Sequence, residues 1–371
     1  MSLILFGPPV HFDFGVRKLL PQIMASARCH KPLFVTDRGV MAAGVFDQAT
    51  EALPSGLTKA LFSDVPPNPT EASAIAGAEV FHRFGCDGVV GIGGGAALDL
   101  AKAIAILATH SPPLWNYSNR NPGELPLGAT PPLMLMPTTS GTGSEVGRSA
   151  VIIFDNGIKA GVRCPTIVTA ALCDPELTLG LPPLVTATTG MDALAHCLET
   201  YCSPAVNPPA DAIAIDGMQR IFSNIRQAVN NGHDLQARWS MMMGSLEGAL
   251  CFQKGMGAVH ACAHPLGALG YHHGTLNAIL LPHVLRLNLD HLGAKAQKIS
   301  EFCGASSVLK LPEKMSNLVE ELGIPLRLRD LGLDRVKLSG IAQAAMLDNA
   351  NKTNPRLMTV DLYEALLAQA Y

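Results

Sequence analysis

Asp192 and His196 stand four residues apart in Gly190-Met191-Asp192-Ala193-Leu194-Ala195-His196-Cys197-Leu198-Glu199. On a helix that spacing puts a carboxylate and an imidazole on one face. Further on come Val259-His260-Ala261-Cys262-Ala263-His264-Pro265-Leu266-Gly267 and Tyr271-His272-His273-Gly274. One carboxylate with several imidazoles and no thiolate is a nitrogen and oxygen donor set that suits Zn²⁺ or Fe²⁺. Four of the 12 histidines crowd into 260–273 in an apolar context, which favours a metal site over separately hydrogen-bonded core histidines. His11, His30, His82, His110, His233 and His291 read as structural or surface residues.

Three further segments could hold a phosphate or a ribose. Gly91-Ile92-Gly93-Gly94-Gly95-Ala96-Ala97-Leu98-Asp99 follows an apolar run and leads into Leu100-Ala101-Lys102-Ala103. Glycines let a phosphate approach the backbone, and a helix N-terminus offers it free N–H groups. The spacing is not G-x-G-x-x-G, and a tight strand-to-helix turn without a ligand is the alternative. Pro137-Thr138-Thr139-Ser140-Gly141-Thr142-Gly143-Ser144-Glu145 offers hydroxyls and glycines after another apolar run, as a donor surface for phosphate or ribose or as a polar surface turn. Asp37, after Leu33-Phe34-Val35-Thr36, is placed to accept from a ribose or to cap a helix.

The elements that must position these residues change along the chain. Leu33-Phe34-Val35-Thr36, Val89-Val90-Gly91-Ile92 and Pro132-Leu133-Met134-Leu135-Met136-Pro137 are continuous apolar runs, as expected of strands buried on both faces. Helical stretches over 70–84 and 98–107 lie between them, so the first half reads as a doubly wound parallel α/β sheet. Beyond Leu181-Pro182-Pro183 strand signals fade, and Ala/Leu/Met-rich stretches such as 237–250 and 276–288 read as helix. The expected division is an α/β domain over 1–181 and an all-α domain over 182–371.

A chain of 371 residues with 48% hydrophobic and only 15% charged residues can fill two large cores. A net charge of −3 offers no basis for a nucleic-acid or anionic-membrane partner. Nine cysteines, an odd number with no C-x-x-C pair, argue against a disulfide framework and for a reducing cytoplasm. Residues 1–9 read as no signal peptide, and no apolar stretch reaches the roughly 20 residues that span a bilayer. The low charged fraction suits a large subunit interface, and a homodimer is expected.

Together these segments resemble the iron-containing, or group III, alcohol dehydrogenases. The resemblance rests on Gly93-Gly94-Gly95-x-x-x-Asp99-x-x-Lys102, on Pro137-Thr138-Thr139-x-Gly141-Thr142-Gly143-Ser144-Glu145-Val146, on Gly190-Met191-Asp192-Ala193-Leu194-x-His196, and on Gly257-x-Val259-His260-x-x-x-His264-Pro265-Leu266-Gly267 with His273-Gly274. It covers nearly the whole chain in order. It implies a dehydroquinate synthase-like architecture, an N-terminal dinucleotide-binding α/β domain followed by a helical domain. It implies Asp192, His196, His260 and His273 as metal ligands, with His273 preferred over His272 because the family ligand precedes a glycine. Asp37, Asn68, Gly94, Gly95, Thr138, Thr139, Thr142 and Lys159 become the NAD-binding residues, and His264 the histidine near the nicotinamide. Ala96 departs from the family, which usually has Ser there, and the stretch between His264 and His273 is short.

The implied reaction is hydride transfer between NAD(H) and a small alcohol or its carbonyl, with the substrate oxygen polarised by Fe²⁺ or Zn²⁺ and His264 relaying a proton. A rival within the family is a specialised oxo-acid or semialdehyde reductase of the maleylacetate or 4-hydroxybutyrate type, with Arg148 or Arg163 pairing a carboxylate. A metal hydrolase and a non-catalytic binding protein are rivals of other classes. A hydrolase has no need of the two glycine and threonine loops.

Overall fold

The computed structural model describes Ile4 and residues 6–371. The expectation of no leader in residues 1–9 falls partly on residues 1–3 and 5, which lie outside the described residues. The chain divides into two compact units. One comprises Phe6–Thr139 and Gly143–Leu179, and the other takes in Ser140–Thr142 and Gly180–Tyr371.

The first unit is built on a six-stranded sheet of β1 (Val10–Phe12), β2 (Pro32–Val35), β3 (Ala60–Phe62), β4 (Gly88–Gly93), β5 (Leu133–Pro137) and β8 (Ala170–Cys173). Their order is β1-β8-β5-β4-β2-β3, and every pairing is parallel. The period of two along a strand sorts side chains to opposite faces. Leu33, Val35, Val89, Leu133 and Leu135 join one core with Ala74, Ala78, Leu100 and Ile104 from the helices Glu71–Arg83 and Gly95–Leu107. Phe34, Val90, Ile92, Met134 and Met136 join a second core with Leu20, Met24, Phe46 and Leu177. Both faces are therefore covered, which is why these strands are apolar runs without polar alternation. The expected strands and helices of this half are present.

β6 (Ser149–Ile153) and β7 (Lys159–Arg163) form an antiparallel hairpin apart from the sheet. Its turn contains Asn156-Gly157 with Gly157 at φ +77°, the chemistry that a tight hairpin favours. Alternate burial along Ser149–Ile153 sends Ala150 and Ile152 into the first core.

The connection from β2 leads to β3 on one side, and β4 returns on the other side of β2. The sheet thus switches direction between β2 and β4, where the carboxyl ends of strands open a crevice. A cleft of about 500 Å³ lies there, lined by Asp37 and Arg38 after β2, Ser63, Asp64, Val65, Pro66 and Pro67 after β3, and Ala96 after β4.

The second unit is helical. Its central helix, Pro183–Cys202, starts with proline in its first turn and is buried on all sides from Thr186 onward except at Thr189. Helices Pro208–Asn230, Leu235–Leu250, Ala258–Ala268 and His273–Asn288 pack around it, and shorter helices through Val360–Ala370 complete one continuous core. No helix among the described residues is long and apolar enough to cross a membrane.

Candidate active site

Three helices of the second unit supply one cluster. Pro183–Cys202 carries Asp192, His196 and Glu199 on one face, Ala258–Ala268 carries His260 and His264, and His273–Asn288 begins with His273. The Nε2 atoms of His196, His260 and His273 lie 3.6, 3.7 and 3.6 Å from Asp192 Oδ1. One donor atom from each of the four residues falls within 4.8 Å of all the others. Four bonds of roughly 2.0–2.2 Å arranged tetrahedrally put ligand atoms about 3.3–3.6 Å apart, and the three separations from Asp192 Oδ1 come close to that spacing.

The short stretch before His273 places the two adjacent histidines differently. His272 Nδ1 accepts the Thr275 N–H at 3.3 Å and caps the helix that His273 opens. His273 then turns its ring to the cluster. Gly274 lets this helix approach Pro183–Cys202, because a Cβ there would stand 2.4 Å from the Thr188 carbonyl oxygen.

Burial alone would raise the Asp192 carboxyl, but the imidazoles of His196, His273 and His260 hold it well below the usual carboxylate range. Burial pushes His196 down to about 4, against the pull of Asp192. Burial also opposes charge on His260, yet hydrogen bonds and charge from Asp192 and Glu199 push it up to about 9. Burial opposes charge on all three groups, and the neighbouring charges prevail over it at Asp192 and His260 but not at His196.

Four residues around this cluster, Glu199, Asn277, Asp348 and Phe252, go beyond the sequence reading. Glu199 Oε2 accepts the His260 Nδ1–H at 2.6 Å, and Glu199 Oε1 accepts the Val259 N–H at 2.7 Å. Asn277, fully buried, donates its Nδ2–H to Asp192 Oδ1 at 2.5 Å and lies 3.2 Å from both His260 Nε2 and His273 Nε2. His264 sits beside the quartet, its ring parallel to that of His273 at 5.7 Å, with Nδ1 3.0 Å from Asp348 Oδ2. Phe252 meets the His196 ring edge to face at 4.5 Å.

In the first unit, β4 ends at Gly93, whose φ of +152° and clash of 2.7 Å between an added Cβ and Ala97 both call for glycine. Gly94 caps the helix Gly95–Leu107 with no side-chain hydrogen bond. Thr138 N–H donates to the Gly93 carbonyl at 3.0 Å, and Thr139 stands beside Gly94. Asp37 lines the cleft and also caps a short helix, its Oδ1 accepting the Val40 N–H at 2.9 Å. Lys159 donates to Asn68 Oδ1 at 3.0 Å, so these two distant positions meet. Asp99 and Lys102, which the motif shares, work structurally. Buried Lys102 donates to Asp99, Ser144 and the carbonyls of Gly147 and Ser149, and Ser144 donates to Asp99 at 2.7 Å. The hydroxyl-rich loop is not a polar surface turn, since Thr138, Ser140 and Ser144 are buried. Its middle residues, Ser140–Thr142, and with them Thr142, group with the helical unit.

Known proteins match the chain from end to end. The family model described as iron-containing alcohol dehydrogenase matches residues 8–175, and that for the Fe-containing alcohol dehydrogenase family, C-terminal, matches residues 186–371. The chain belongs to the iron-containing alcohol dehydrogenase family. It is 42% identical to the 4-hydroxybutyrate dehydrogenase of Cupriavidus necator, with 100% of both chains covered. The crystal structure of a 1,3-propanediol oxidoreductase superposes with a TM-score of 0.93 at 35% identity, again over 100% of both chains. The sulfoacetaldehyde reductase of Bifidobacterium kashiwanohense, solved in complex with NAD⁺, gives 0.90 at 26% identity, covering 100% of this chain and 98% of that one. Membership makes the chain an oxidoreductase and an alcohol dehydrogenase, as the resemblance implied. In an iron-containing alcohol dehydrogenase an Asp and three His with donor atoms this close are a fitting donor set for a divalent metal.

Proposed function

We propose that this alcohol dehydrogenase transfers hydride between NAD(H) and a small primary alcohol or its aldehyde, with Fe²⁺ held by Asp192, His196, His260 and His273. The convergence of three Nε2 atoms on Asp192 Oδ1 carries the reading. An ion held there supplies Lewis acidity toward the substrate oxygen. The family name favours iron, while Zn²⁺ fits the same donors and generally binds more tightly. The surrounding residues do the rest. Glu199 orients His260, Asn277 steadies the Asp192 carboxylate, and Phe252 shields His196 from water. His264 is the group that takes the alcohol proton during oxidation and returns it during reduction.

The dinucleotide reading assigns the cleft at the β2–β4 switch to the adenosine end of NAD. Asp37 faces the ribose hydroxyls, and the helix start at Gly94 and Gly95, which no side chain caps, receives the diphosphate. Thr138, Thr139 and Thr142 contribute hydroxyls, and the Asn68–Lys159 pair serves the cofactor side. NAD⁺ in the related sulfoacetaldehyde reductase supports this choice. A boundary at Leu181-Pro182, a cytoplasmic location and a homodimer belong to the same proposal. The break between the units after Leu179 supports the first, and nine unpaired cysteines support the second. The dimer rests on the 15% charged fraction and is checked by light scattering.

For the substrate, full-length similarity to a 4-hydroxybutyrate dehydrogenase favours a second, narrower reading, an ω-hydroxy acid and its semialdehyde. A panel of 1,3-propanediol, simple primary alcohols and 4-hydroxybutyrate, followed by NADH absorbance with Fe²⁺ present, tests both. Turnover of the neutral alcohols supports the broad reading. A kcat/KM for 4-hydroxybutyrate at least tenfold higher supports the narrow one, and no turnover of any member with NAD contradicts both.

A further inference from the structure

The pair His264–Asp348 joins residues 84 apart in sequence. Asp348 is held from three directions. Its own N–H donates to the Ala345 carbonyl at the end of the helix Leu338–Leu347, at 3.1 Å. Its Oδ1 accepts the Ala350 N–H at 2.8 Å and caps the short 3₁₀ helix Asn349–Thr353. That helix is fastened to the start of Ala258–Ala268, because Thr353 donates to the Met256 carbonyl at 2.7 Å and Asn354 Oδ1 accepts the Ala258 N–H at 3.2 Å. The remaining oxygen, Oδ2, meets His264 Nδ1 at 3.0 Å. The carboxylate is therefore delivered to the imidazole from a backbone anchored by its own hydrogen bonds.

A carboxylate only accepts hydrogen bonds, so the proton of a neutral imidazole in this pair sits on Nδ1. Nε2 then carries the lone pair. We propose that Asp348 is a positioning residue for His264, which fixes the Nδ1–H tautomer and holds the ring parallel to His273. The inference rests on the reading of His264 as the proton-handling group. The proton balance is simple. In oxidation the hydroxyl proton of the alcohol passes to His264 Nε2 while the hydride leaves from carbon to the nicotinamide. Nδ1–H stays on Asp348 throughout, and the ring becomes an imidazolium facing a fixed negative charge.

The two oxygens of Asp348 have separate jobs, and this makes the inference testable. Asn is as good a helix cap as Asp, so Asp348→Asn keeps the 3₁₀ cap. Its amide can, however, donate to Nδ1 and thereby select the opposite, Nε2–H tautomer. Imidazole ¹⁵N spectra of the chain with Zn²⁺ added, assigned with His264→Gln, read the tautomer without turnover. We expect Nδ1–H in the wild type and a shift to Nε2–H in Asp348→Asn. The same variant should lose roughly 10- to 100-fold in kcat with KM and metal content unchanged. Asp348→Glu, which keeps the acceptor, should recover part of the loss. An unchanged tautomer in Asp348→Asn, or an unchanged kcat, overturns the inference. If the wild type oxidises no alcohol, the functional reading fails, and the ¹⁵N comparison still decides whether Asp348 sets the tautomer.

Discussion

Glu199 reaches two parts of one helix at once. Its Oε2 takes the Nδ1–H of His260 across 2.6 Å, while its Oε1 takes the Val259 N–H at the helix start. The carboxylate thus fixes the ring and the backbone that carries it, and leaves Nε2 of His260 facing Asp192 Oδ1. Partners of this kind typically change metal affinity about 10- to 100-fold when removed. Glu199→Gln should weaken metal binding by that factor, measured by competition with a chelator, while the helical content by circular dichroism stays the same. Wild-type affinity in Glu199→Gln would reduce Glu199 to a helix cap.

The same carboxylate contributes to a pH dependence. In the metal-free chain His260 is pushed up from its ordinary 6.5 to about 9, so it is charged at neutral pH. A metal takes the lone pair on Nε2, so binding near pH 7 must release that proton. Calorimetry in two buffers of different ionisation enthalpy should find about one proton released per ion, with affinity rising toward pH 9. The folded-state value lies above the unfolded one, so the stabilisation from charged His260 is complete below about 6.5 and fades as pH rises through about 9. Asp192 acts in the opposite direction, losing its contribution as pH falls below its ordinary 3.8 toward its depressed value. Melting of the metal-free chain should therefore weaken on the alkaline side between about pH 7 and 9. A flat profile there contradicts the charge on His260.

His272 and His273 separate cleanly by substitution. His273→Ala removes one of the four donors, and we expect it to lose bound metal. His272→Ala removes the helix cap on Thr275 and should keep its metal while losing stability, on the order of 1 kcal/mol as for other lost caps. Elemental analysis with thermal melts distinguishes the two, and the reverse pattern would move the fourth ligand to His272.

Cofactor choice should follow Asp37. A carboxylate in the adenosine cleft accepts from ribose hydroxyls and repels a 2′-phosphate. Arg38, the neighbouring cation that could offset it, is paired with Asp64 at 2.6 Å. Asp37→Gly should raise kcat/KM with NADP at least tenfold and lower it modestly with NAD. An unchanged ratio leaves Asp37 as the helix cap of Val40 and nothing more.

What could be read in advance divides by distance along the chain. The runs at 33–36, 89–92 and 132–137 announce strands because burial on two faces leaves no room for polar alternation. Asp192 and His196 announce a site because their spacing alone puts them on one helix face. Glu199 stands in that same segment, three residues past His196, yet its partner His260 lies 61 residues away and nothing local marks the pairing. Asp348 is more remote still from His264. Asn277, four residues beyond His273, shares its helix face, but an asparagine in an apolar helix carries no mark of a metal site until the carboxylate beside it is in view. The hairpin at β6–β7 does leave a trace, Asn156-Gly157 between the apolar run Val151–Phe154 and Ile158. Thr142 lies in a loop that divides between two compact units, which its motif does not announce.

Metal restoration puts the Asp192–His196–His260–His273 centre itself to the test. The chain is stripped with a chelator, and Fe²⁺ or Zn²⁺ is returned in steps while NADH formation from 1,3-propanediol or 4-hydroxybutyrate is followed on the same sample. Activity should be absent without metal and rise linearly to a plateau at one ion per chain with at least one of the two metals. His260→Ala should bind less than one-tenth as much metal at the same concentration and show no such rise. Full turnover by the stripped chain, or a normal titration in His260→Ala, would contradict the assignment.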